Sequence, residues 1–299
     1  MKIVLIGSVL SSYIVMKQLI DLKAPLVHIF SLTEEGSDNV SGYYPLHKEA
    51  EKNQIDYTIF KKINDKENIK LLKEISPDYI FVVGLSQLLS KELLAIPKIG
   101  CIGFHPTPLP KYRGRAAMVW QVLLGVHDTK CTMFFLDQGC DSGDIIDQED
   151  YIIKDTDYAS DVEKTLMLAV DRLSKRVINK IMNNSVVRIK QNEDEASYLL
   201  IRRPEDGLID WQTPIKEIHT LIRAVSKPYP GAFSLYDGIH KIVIWKAEMQ
   251  INKNIIGLPG QICKTDSTTF DILCTDGILH VTEYDNIDSV KLLVGHKLK

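Results

Sequence analysis

The sequence of 299 residues lacks several patterns that identify common classes of protein. Its five cysteines are scattered and no two have zinc-ligand spacing, which argues against a disulfide framework or a cysteine metal site and fits a reducing cytosol. No apolar run approaches the roughly 20 residues of a membrane span. The net charge is −3, so the whole molecule has no field that favours nucleic acid. We therefore expect a cytoplasmic protein.

Two cofactor and catalytic motifs are also missing. The turn from Gly7 to Ser12 (GSVLSS) lacks the second and third glycines of a dinucleotide-binding fingerprint, so it gives little support to a nicotinamide or flavin. No G-x-S-x-G elbow marks a nucleophilic serine. The start of the chain resembles a signal peptide only loosely, and the first strand and helix of an α/β domain account for it better.

The chain does show a regular alternation of strand-like and helical segments. The apolar strand-like runs are residues 2–7, 25–32, 56–60, 79–84 and 100–105. Their alternation with helical spans predicts an α/β fold with a Rossmann-like, doubly wound, mostly parallel sheet. Residues 130–137 and 144–153 predict an antiparallel hairpin that extends this sheet, and a long helix is predicted at 158–182.

The pattern changes near residue 200. After a turn-rich stretch and a helix at 214–225, short β-type runs alternate with Gly, Asp and Asn turns. Such spacing favours a small barrel or sandwich. We therefore predict two domains, 1–200 and 201–299, of which the second is smaller, β-rich and OB-like.

The stretch from Gly100 to Gly114 (GCIGFHPTPLPKYRG) joins an apolar strand to a loop with three prolines. These prolines lack backbone donors, so the strand must end at His105. Alternation places Cys101, Gly103 and His105 on one face. His105 thus lies at the carboxyl end of a strand, where open α/β sheets bind ligands. A histidine there is often only a backbone cap, so a functional role depends on a partner.

A second motif, Leu136 to Ile145 (LDQGCDSGDI), supplies that partner. Aspartates are common in turns, and a calcium loop is a rival interpretation, but the twelfth-position glutamate and flanking helices of an EF-hand are missing. We predict that Asp141 pairs with His105, because a carboxylate beside an imidazole selects its tautomer and favours general-base chemistry. With no marked nucleophile, direct attack by a substrate amine on an acyl donor is the expected reaction.

These residues resemble the 10-formyltetrahydrofolate-dependent formyltransferases. The resemblance consists of H-P-x-x-L-P-x-Y-R-G, the aspartate–glycine loop about thirty residues later, and DGLIDWQTP with RAVSKPYPGAF in the C-terminal part. The resemblance covers nearly the whole chain. The family includes methionyl-tRNA formyltransferase and nucleotide-sugar N-formyltransferases. The resemblance implies 10-formyltetrahydrofolate as the formyl donor and no metal.

The resemblance also implies a catalytic Asn–His–Asp triad. The histidine corresponds to His105 and the aspartate to Asp141, but the position of the asparagine is Gly103. The resemblance implies that this amide stabilises an oxyanion, a role whose loss typically costs ~10²–10³ in rate. Three alternatives remain open: another donor such as a backbone N–H, a water, Ser86 or Gln87; help from the substrate; or low activity.

The family's folate pocket implies two further groups of residues, one after the fourth strand and one in the aspartate loop. They are Leu85, Ser86, Gln87, Leu88, Leu89, Asp137, Gly139 and Cys140.

The acceptor is expected to be a nucleotide-linked amino sugar rather than tRNA. The loop after the second strand, residues 31–44, is short and acidic where methionyl-tRNA formyltransferases carry a basic insertion. The pyrophosphate of such a ligand needs cationic side chains, and its nucleobase needs an aromatic surface. The candidates are Lys111, Tyr112, Arg113, Arg115 and Arg202. The alternatives are methionyl-tRNA formyltransferase and a non-catalytic folate-binding module, and a homodimer is one candidate assembly.

Overall fold

The computed structural model describes residues 1–37, 40, 42–252 and 254–299. The chain divides into two compact units. Unit 1 comprises Met1–Ala117, Asp128–Ile152 and Lys164–Leu200, and unit 2 comprises Met118–His127, Ile153–Glu163 and Ile201–Lys299. These units differ from a division at residue 200 by two short segments, residues 118–127 and 153–163.

The strands and helices up to residue 200 follow the alternation expected from the sequence. In chain order they are β1 (Ile3–Gly7), α1 (Leu10–Asp21), β2 (Leu26–Leu32), α2 (Leu46–Lys52), β3 (Tyr57–Phe60), α3 (Lys66–Ile75), β4 (Tyr79–Val83), α4 (Lys91–Leu94), β5 (Gly100–His105), β6 (Arg113–Gly114), α5 (Ala117–Leu123), β7 (Asp128–Phe135), β8 (Ile145–Ile152), α6 (Ala159–Met182) and β9 (Tyr198–Leu199). Each predicted strand forms, with ends that shift by at most two residues.

The main sheet of unit 1 has seven strands in the order β3-β2-β1-β4-β5-β7-β8. The first five are parallel, and β7 and β8 are antiparallel additions. Every residue of β1 and β4 is buried, which explains why their sequences are continuous apolar runs rather than alternating ones. The Rossmann-like doubly wound sheet is therefore confirmed.

A small ladder that the sequence did not predict completes unit 1. Strands β6 and β9 pair in parallel, Arg113 with Tyr198 and Gly114 with Leu199. Only two residues long, each strand is too short to show a periodic pattern. The ladder brings the segment after α6 next to the loop that follows β5.

Unit 2 contains the C-terminal antiparallel sheet. Its elements are α7 (Ile215–Val225), β10 (Ala232–Tyr236), β11 (His240–Gln250), β12 (Ile262–Thr265), β13 (Phe270–Leu273) and β14 (Ile278–Asn286). The strand order is β10-β11-β14-β13-β12. The last residues hydrogen-bond to both edges, because Lys299 pairs with Leu235 of β10 and Leu298 donates to Gly260, just before β12. The chain end thus closes the five-stranded sheet, in agreement with the expected β-rich domain.

None of the helices in the described ranges is both long enough and apolar enough to cross a bilayer.

Candidate active site

The site is organised around His105 at the end of β5. The residue is only 6% exposed, because β5 lies in the interior of the sheet between β4 and β7. Its Nε2 lies 2.8 Å from the carbonyl oxygen of Tyr112. A carbonyl can only accept, so Nε2 carries a proton and donates a hydrogen bond to the Tyr112 carbonyl. The tautomer that results leaves the lone pair on Nδ1.

The proline-containing loop after β5 holds the Tyr112 carbonyl in place. The Thr107 hydroxyl donates to the Lys111 carbonyl at 2.9 Å, across the turn of this loop. Thr132 on β7 is fully buried, and its hydroxyl donates to the Thr107 carbonyl at 2.7 Å. Gln148 on β8 donates to the Thr132 hydroxyl at 2.9 Å. The antiparallel hairpin therefore supports the loop that orients His105.

Asp141 faces the other nitrogen of the imidazole. Its Oδ2 lies 3.6 Å from His105 Nδ1 and accepts the Gly114 N–H at 2.8 Å. The Asp141 side chain is 22% exposed against 8% for that of His105, so the pair opens to solvent on the Asp141 side. The predicted proximity of His105 and Asp141 is thus present. However, Tyr112 and not Asp141 selects the tautomer, and Asp141 lies beside the basic nitrogen.

Gly103 lies under Leu136. A Cβ atom at this position would meet Leu136 Cδ2 at 2.5 Å and Phe134 Cε1 at 3.2 Å. Leu136 thus covers the place where the resemblance would put an asparagine side chain. Of the two side chains that could replace the asparagine amide, Ser86 and Gln87, the Gln87 amide is already engaged. It donates to the Lys61 carbonyl at 2.7 Å and accepts from the Ile63 N–H at 2.9 Å.

The cysteines near the site do not provide a nucleophile. Cys101 is buried on β5, and burial raises the pKa of its thiol to about 12. Cys140 is exposed, yet partial burial and the adjacent Asp141 carboxylate raise the pKa of its thiol as well. Both thiols are protonated near neutrality, so a covalent cysteine mechanism has no support.

The loop expected to bind folate presents apolar side chains. Leu85 and Leu89 are partly buried and pack against the core of the main sheet, as does Leu136. Leu88 is 84% exposed. The side chain of Arg115 donates to the Ser86 carbonyl at 3.0 Å, which ties this loop to the end of β6.

The aspartate loop is held by its own turn hydrogen bonds. Asp137 Oδ1 accepts from the Gly139 N–H and from the Ser142 hydroxyl, both at 2.9 Å. Asp137 therefore shapes the turn, as turn aspartates commonly do. Cys140 follows on the exposed rim, next to Asp141.

The cationic candidates fall into different environments. Lys111 and Arg115 are exposed. Arg113 is completely buried, and its guanidinium forms a bidentate pair with Glu193 at 2.7 and 2.9 Å, which raises the pKa of Arg113. Because its donors are engaged within the protein, we leave Arg113 out of the proposed substrate site. Arg202 belongs to unit 2, where it lies over the Trp120 ring at 5.0 Å.

Three residues that the sequence analysis did not identify belong to the surroundings of Asp141. Gln191 donates to the carbonyls of Asp141 and Gly143 at 2.8 and 2.7 Å, and Glu193 and Tyr198 bind Arg113. They lie 50 to 60 positions after Asp141, in a polar segment of ordinary composition. No local signal distinguishes them.

Within the described ranges, no group of three or more His, Cys, Asp or Glu side chains is placed to hold a metal ion.

Two family models match the chain and define its class. The formyl transferase model matches residues 26–178, and the model of the formyl transferase C-terminal domain matches residues 202–291. The first model spans half of the chain. The order of the two models along the chain agrees with an α/β sheet followed by a β-rich domain. The chain belongs to the formyl transferase family, and it is a formyltransferase.

The relatives and solved structures that resemble the chain include methionyl-tRNA formyltransferases and an N-formyltransferase. The chain is 30% identical over 301 residues to the methionyl-tRNA formyltransferase of Clostridioides difficile, covering 100% of this chain and 96% of the relative. It is 34% identical over 265 residues to that of Clostridium perfringens, covering 87% and 84%. The Helicobacter canadensis N-formyltransferase, solved with folinic acid and dTDP-3-aminofucose, has the same fold (TM-score 0.67, 23% identity, 95% of this chain and 100% of that one).

Proposed function

We propose that this formyltransferase transfers the formyl group of 10-formyltetrahydrofolate to the amine of a nucleotide-linked amino sugar. The observation that carries the proposal is the environment of His105. Its Nε2–H is committed to the Tyr112 carbonyl, and its basic Nδ1 lies 3.6 Å from the Asp141 carboxylate on the accessible side of the pair.

The chemistry follows from that arrangement. 10-Formyltetrahydrofolate would supply the formyl carbon. As the acceptor amine forms its bond to that carbon, His105 Nδ1 takes the amine proton, and the Asp141 carboxylate stabilises the imidazolium. The imidazolium then returns the proton to the departing folate nitrogen, so the imidazole is regenerated without net change. This assignment revises the role expected for Asp141, which stabilises a charge and does not set the tautomer.

The residues present fit a folate. Leu85, Leu89 and Leu136 are partly buried and pack against the core of the main sheet, and apolar side chains of this kind suit a flat pterin ring. Exposed Leu88 lies on the same loop as Leu85 and Leu89. The loop from Asp137 to Cys140 follows Leu136 directly in the chain and offers backbone hydrogen-bonding groups next to it. Leu136 also covers Gly103, which supports one site for the folate and the glycine position.

Charge supports a small acceptor. Residues 201–299 contain twelve Lys and Arg against twelve Asp and Glu, so the C-terminal part of the chain offers no excess of cations to a polyphosphate. Exposed Lys111 and Arg115 near the site suffice for a pyrophosphate. The Helicobacter canadensis structure, with its dTDP-linked amino sugar, supports the same class of acceptor.

Methionyl-tRNA is the second candidate acceptor. Relatives that are 30–34% identical over most of the chain carry that name. The acidic loop at 31–44, of which Asp38, Asn39 and Ser41 lie outside the described residues, and the balanced C-terminal part oppose it.

The test is a formylation assay with 10-formyltetrahydrofolate and separate acceptors: dTDP- and UDP-linked amino sugars, and initiator methionyl-tRNA. We expect turnover with an amino-sugar nucleotide and none with the tRNA. Turnover only with methionyl-tRNA would replace this proposal by the second candidate, and folate binding without any turnover would support the non-catalytic module.

Variants of the central pair test the mechanism in the same assay. His105→Ala should lower kcat by ~10²–10⁴, the typical contribution of a general base. A matched control is His240→Ala, because His240 belongs to unit 2 and pairs with Asp288 at 3.0 Å, whereas His105 and Asp141 belong to unit 1. The control should keep wild-type kcat. Full activity of His105→Ala would remove this residue from the mechanism.

A further inference from the structure

Gln191 is the polar side chain that links the aspartate loop to the β6–β9 ladder. Its Nε2 donates to the Asp141 and Gly143 carbonyls at 2.8 and 2.7 Å. Its Oε1 accepts from Arg113 Nε and Nη2 at 3.1 and 2.8 Å. A carboxamide has two N–H donors and one oxygen with two lone pairs, so every capacity of Gln191 is used. In the opposite orientation, the amide oxygen would face two carbonyl oxygens and the amide N–H groups would face a guanidinium. The contacts therefore determine the orientation of the Gln191 amide.

The contacts form a closed ring around Asp141. Gln191 binds Arg113, the next residue Gly114 donates its N–H to the Asp141 carboxylate at 2.8 Å, and the Asp141 carbonyl returns to Gln191. Arg113 is itself immobilised by Glu193 and by the Tyr198 hydroxyl at 2.9 Å. Arg113 is therefore the rigid part of this ring, and the ring connects it to the Asp141 carboxylate.

Asp141 needs such support because of its backbone. Its φ is +51°, in the left-handed region that non-glycine residues rarely adopt. A conformation of this kind costs about 1–3 kcal/mol and persists only where the surroundings hold it. Gln191 binds the carbonyls on both sides of the turn, at residues 141 and 143. Without those two bonds the turn can relax and carry the carboxylate away from His105.

We propose that Gln191 is a positioning residue for formyl transfer, which holds the 141–143 turn so that the Asp141 carboxylate faces His105 Nδ1. The inference rests on the roles proposed above for His105 and Asp141. Gln191 acts through Asp141 and lies outside the surfaces assigned to folate and acceptor, so its loss should lower kcat with little change in either KM.

Two variants separate the contacts of Gln191 with Arg113 from its contacts with the loop. Gln191→Glu keeps an acceptor oxygen for Arg113 and removes both donors to the loop. Gln191→Met has a similar length, carries no charge and removes all four bonds. We expect either change to lower kcat by ~10–100-fold, the size of effect that a misplacement of about 1 Å produces, with both KM values within about threefold of wild type.

The matched control is Gln18→Met. Gln18 is a second glutamine of unit 1, 8% exposed, and its amide on helix α1 donates to Asp171 on helix α6 at 2.6 Å. This variant should keep wild-type kcat. It also measures what the loss of a buried glutamine does to the midpoint of urea unfolding without disturbing the aspartate loop.

A double-mutant cycle with Asp141→Asn distinguishes positioning from a general structural effect. If Gln191 acts only through Asp141, Gln191→Glu should cost nothing further once Asp141→Asn is present. A kcat of Gln191→Glu within threefold of wild type, while Asp141→Asn has a strongly reduced but measurable kcat, would overturn the inference and leave the proposed function standing. An active Asp141→Asn enzyme would overturn the proposed mechanism and this inference together.

Discussion

At the scale of single residues, the Gly103 position separates this chain from the Asn–His–Asp pattern. The Leu136 side chain lies where a Cβ at residue 103 would have to fit, and the closest approach would be 2.5 Å. The glycine and the leucine therefore depend on each other. A chain with asparagine at 103 needs a different packing of the residue before Asp137.

The first prediction concerns this pair. Gly103→Asn should lower the free energy of unfolding by about 1–3 kcal/mol, as overpacked side chains do. In a Leu136→Ala background the same asparagine should cost less than about 1 kcal/mol, because the blocking side chain is gone. Urea unfolding of the two single variants and the double variant measures the coupling. An equal cost of the asparagine in both backgrounds would contradict the packing described here.

Arg113 shows how residue type can mislead when burial is unknown. The arginine follows the proline-containing loop, so the sequence suggested a pyrophosphate ligand. The structure pairs it with Glu193, eighty positions away, and buries it completely. A buried guanidinium needs a full set of acceptors, and these come from a segment that only folding brings near.

At the scale of secondary-structure elements, an ionic network joins β8 to α6 in unit 1. Asp147 on β8 accepts from Arg176 at 3.1 Å and from Lys180 at 2.9 Å, and Arg172 and Arg176 also bind Glu149. Burial acts to raise the pKa of Asp147, but the hydrogen bonds from Arg176 and Lys180 outweigh it and hold the pKa below the ordinary 3.8.

The second prediction is that the stabilisation of the folded state by the Asp147 carboxylate is lost in acid. A carboxylate whose pKa is lower in the folded state than in the unfolded state stabilises the folded state fully at pH values above the unfolded-state pKa. This stabilisation disappears as the pH falls through the folded-state pKa. Asp147→Asn should therefore cost about 1–2 kcal/mol at pH 7. This difference should shrink as pH falls below 3.8.

Urea unfolding of wild type and Asp147→Asn between pH 7 and pH 3 measures that difference. Asp128→Asn is the control, since Asp128 is an exposed residue at the start of β7. It should change the free energy of unfolding by less than about 0.5 kcal/mol at any pH. A pH-independent cost of Asp147→Asn would show that the network is not the source of its effect.

The elements themselves differ in how well the sequence predicts them. Strands such as β1 and β4 are buried on both faces, so their apolar runs are visible without the fold. The β6–β9 ladder has two residues per strand and joins positions 85 apart. Its formation depends on where α6 ends and on the Arg113 contacts, and neither is encoded locally.

At the scale of the whole molecule, charge bears on the acceptor. The chain has a net charge of −3, and residues 201–299 are balanced. A protein that neutralises 6–10 phosphates of a nucleic acid loses about 10³–10⁵ in affinity between 50 and 200 mM salt. An acceptor that presents a single pyrophosphate displaces far fewer ions.

The third prediction follows from that contrast. The KM for the preferred acceptor should rise less than about tenfold between 50 and 200 mM salt, because at most two phosphates are contacted. Steady-state assays at both salt concentrations, with the KM for 10-formyltetrahydrofolate measured in parallel as a control, test it. A rise of 10³ or more would indicate a polyphosphate acceptor and favour methionyl-tRNA.

The sequence alone determined the class of fold, the position of His105 and the family, because each depends on short-range patterns: buried apolar runs, prolines that end a strand, and motifs a few residues long. Only the tertiary structure decided that Tyr112 sets the imidazole tautomer, that Leu136 covers Gly103, and that Gln191 and Arg113 hold the Asp141 turn. Those relations join residues distant along the chain through burial and hydrogen bonding, and these arise only when the segments pack together.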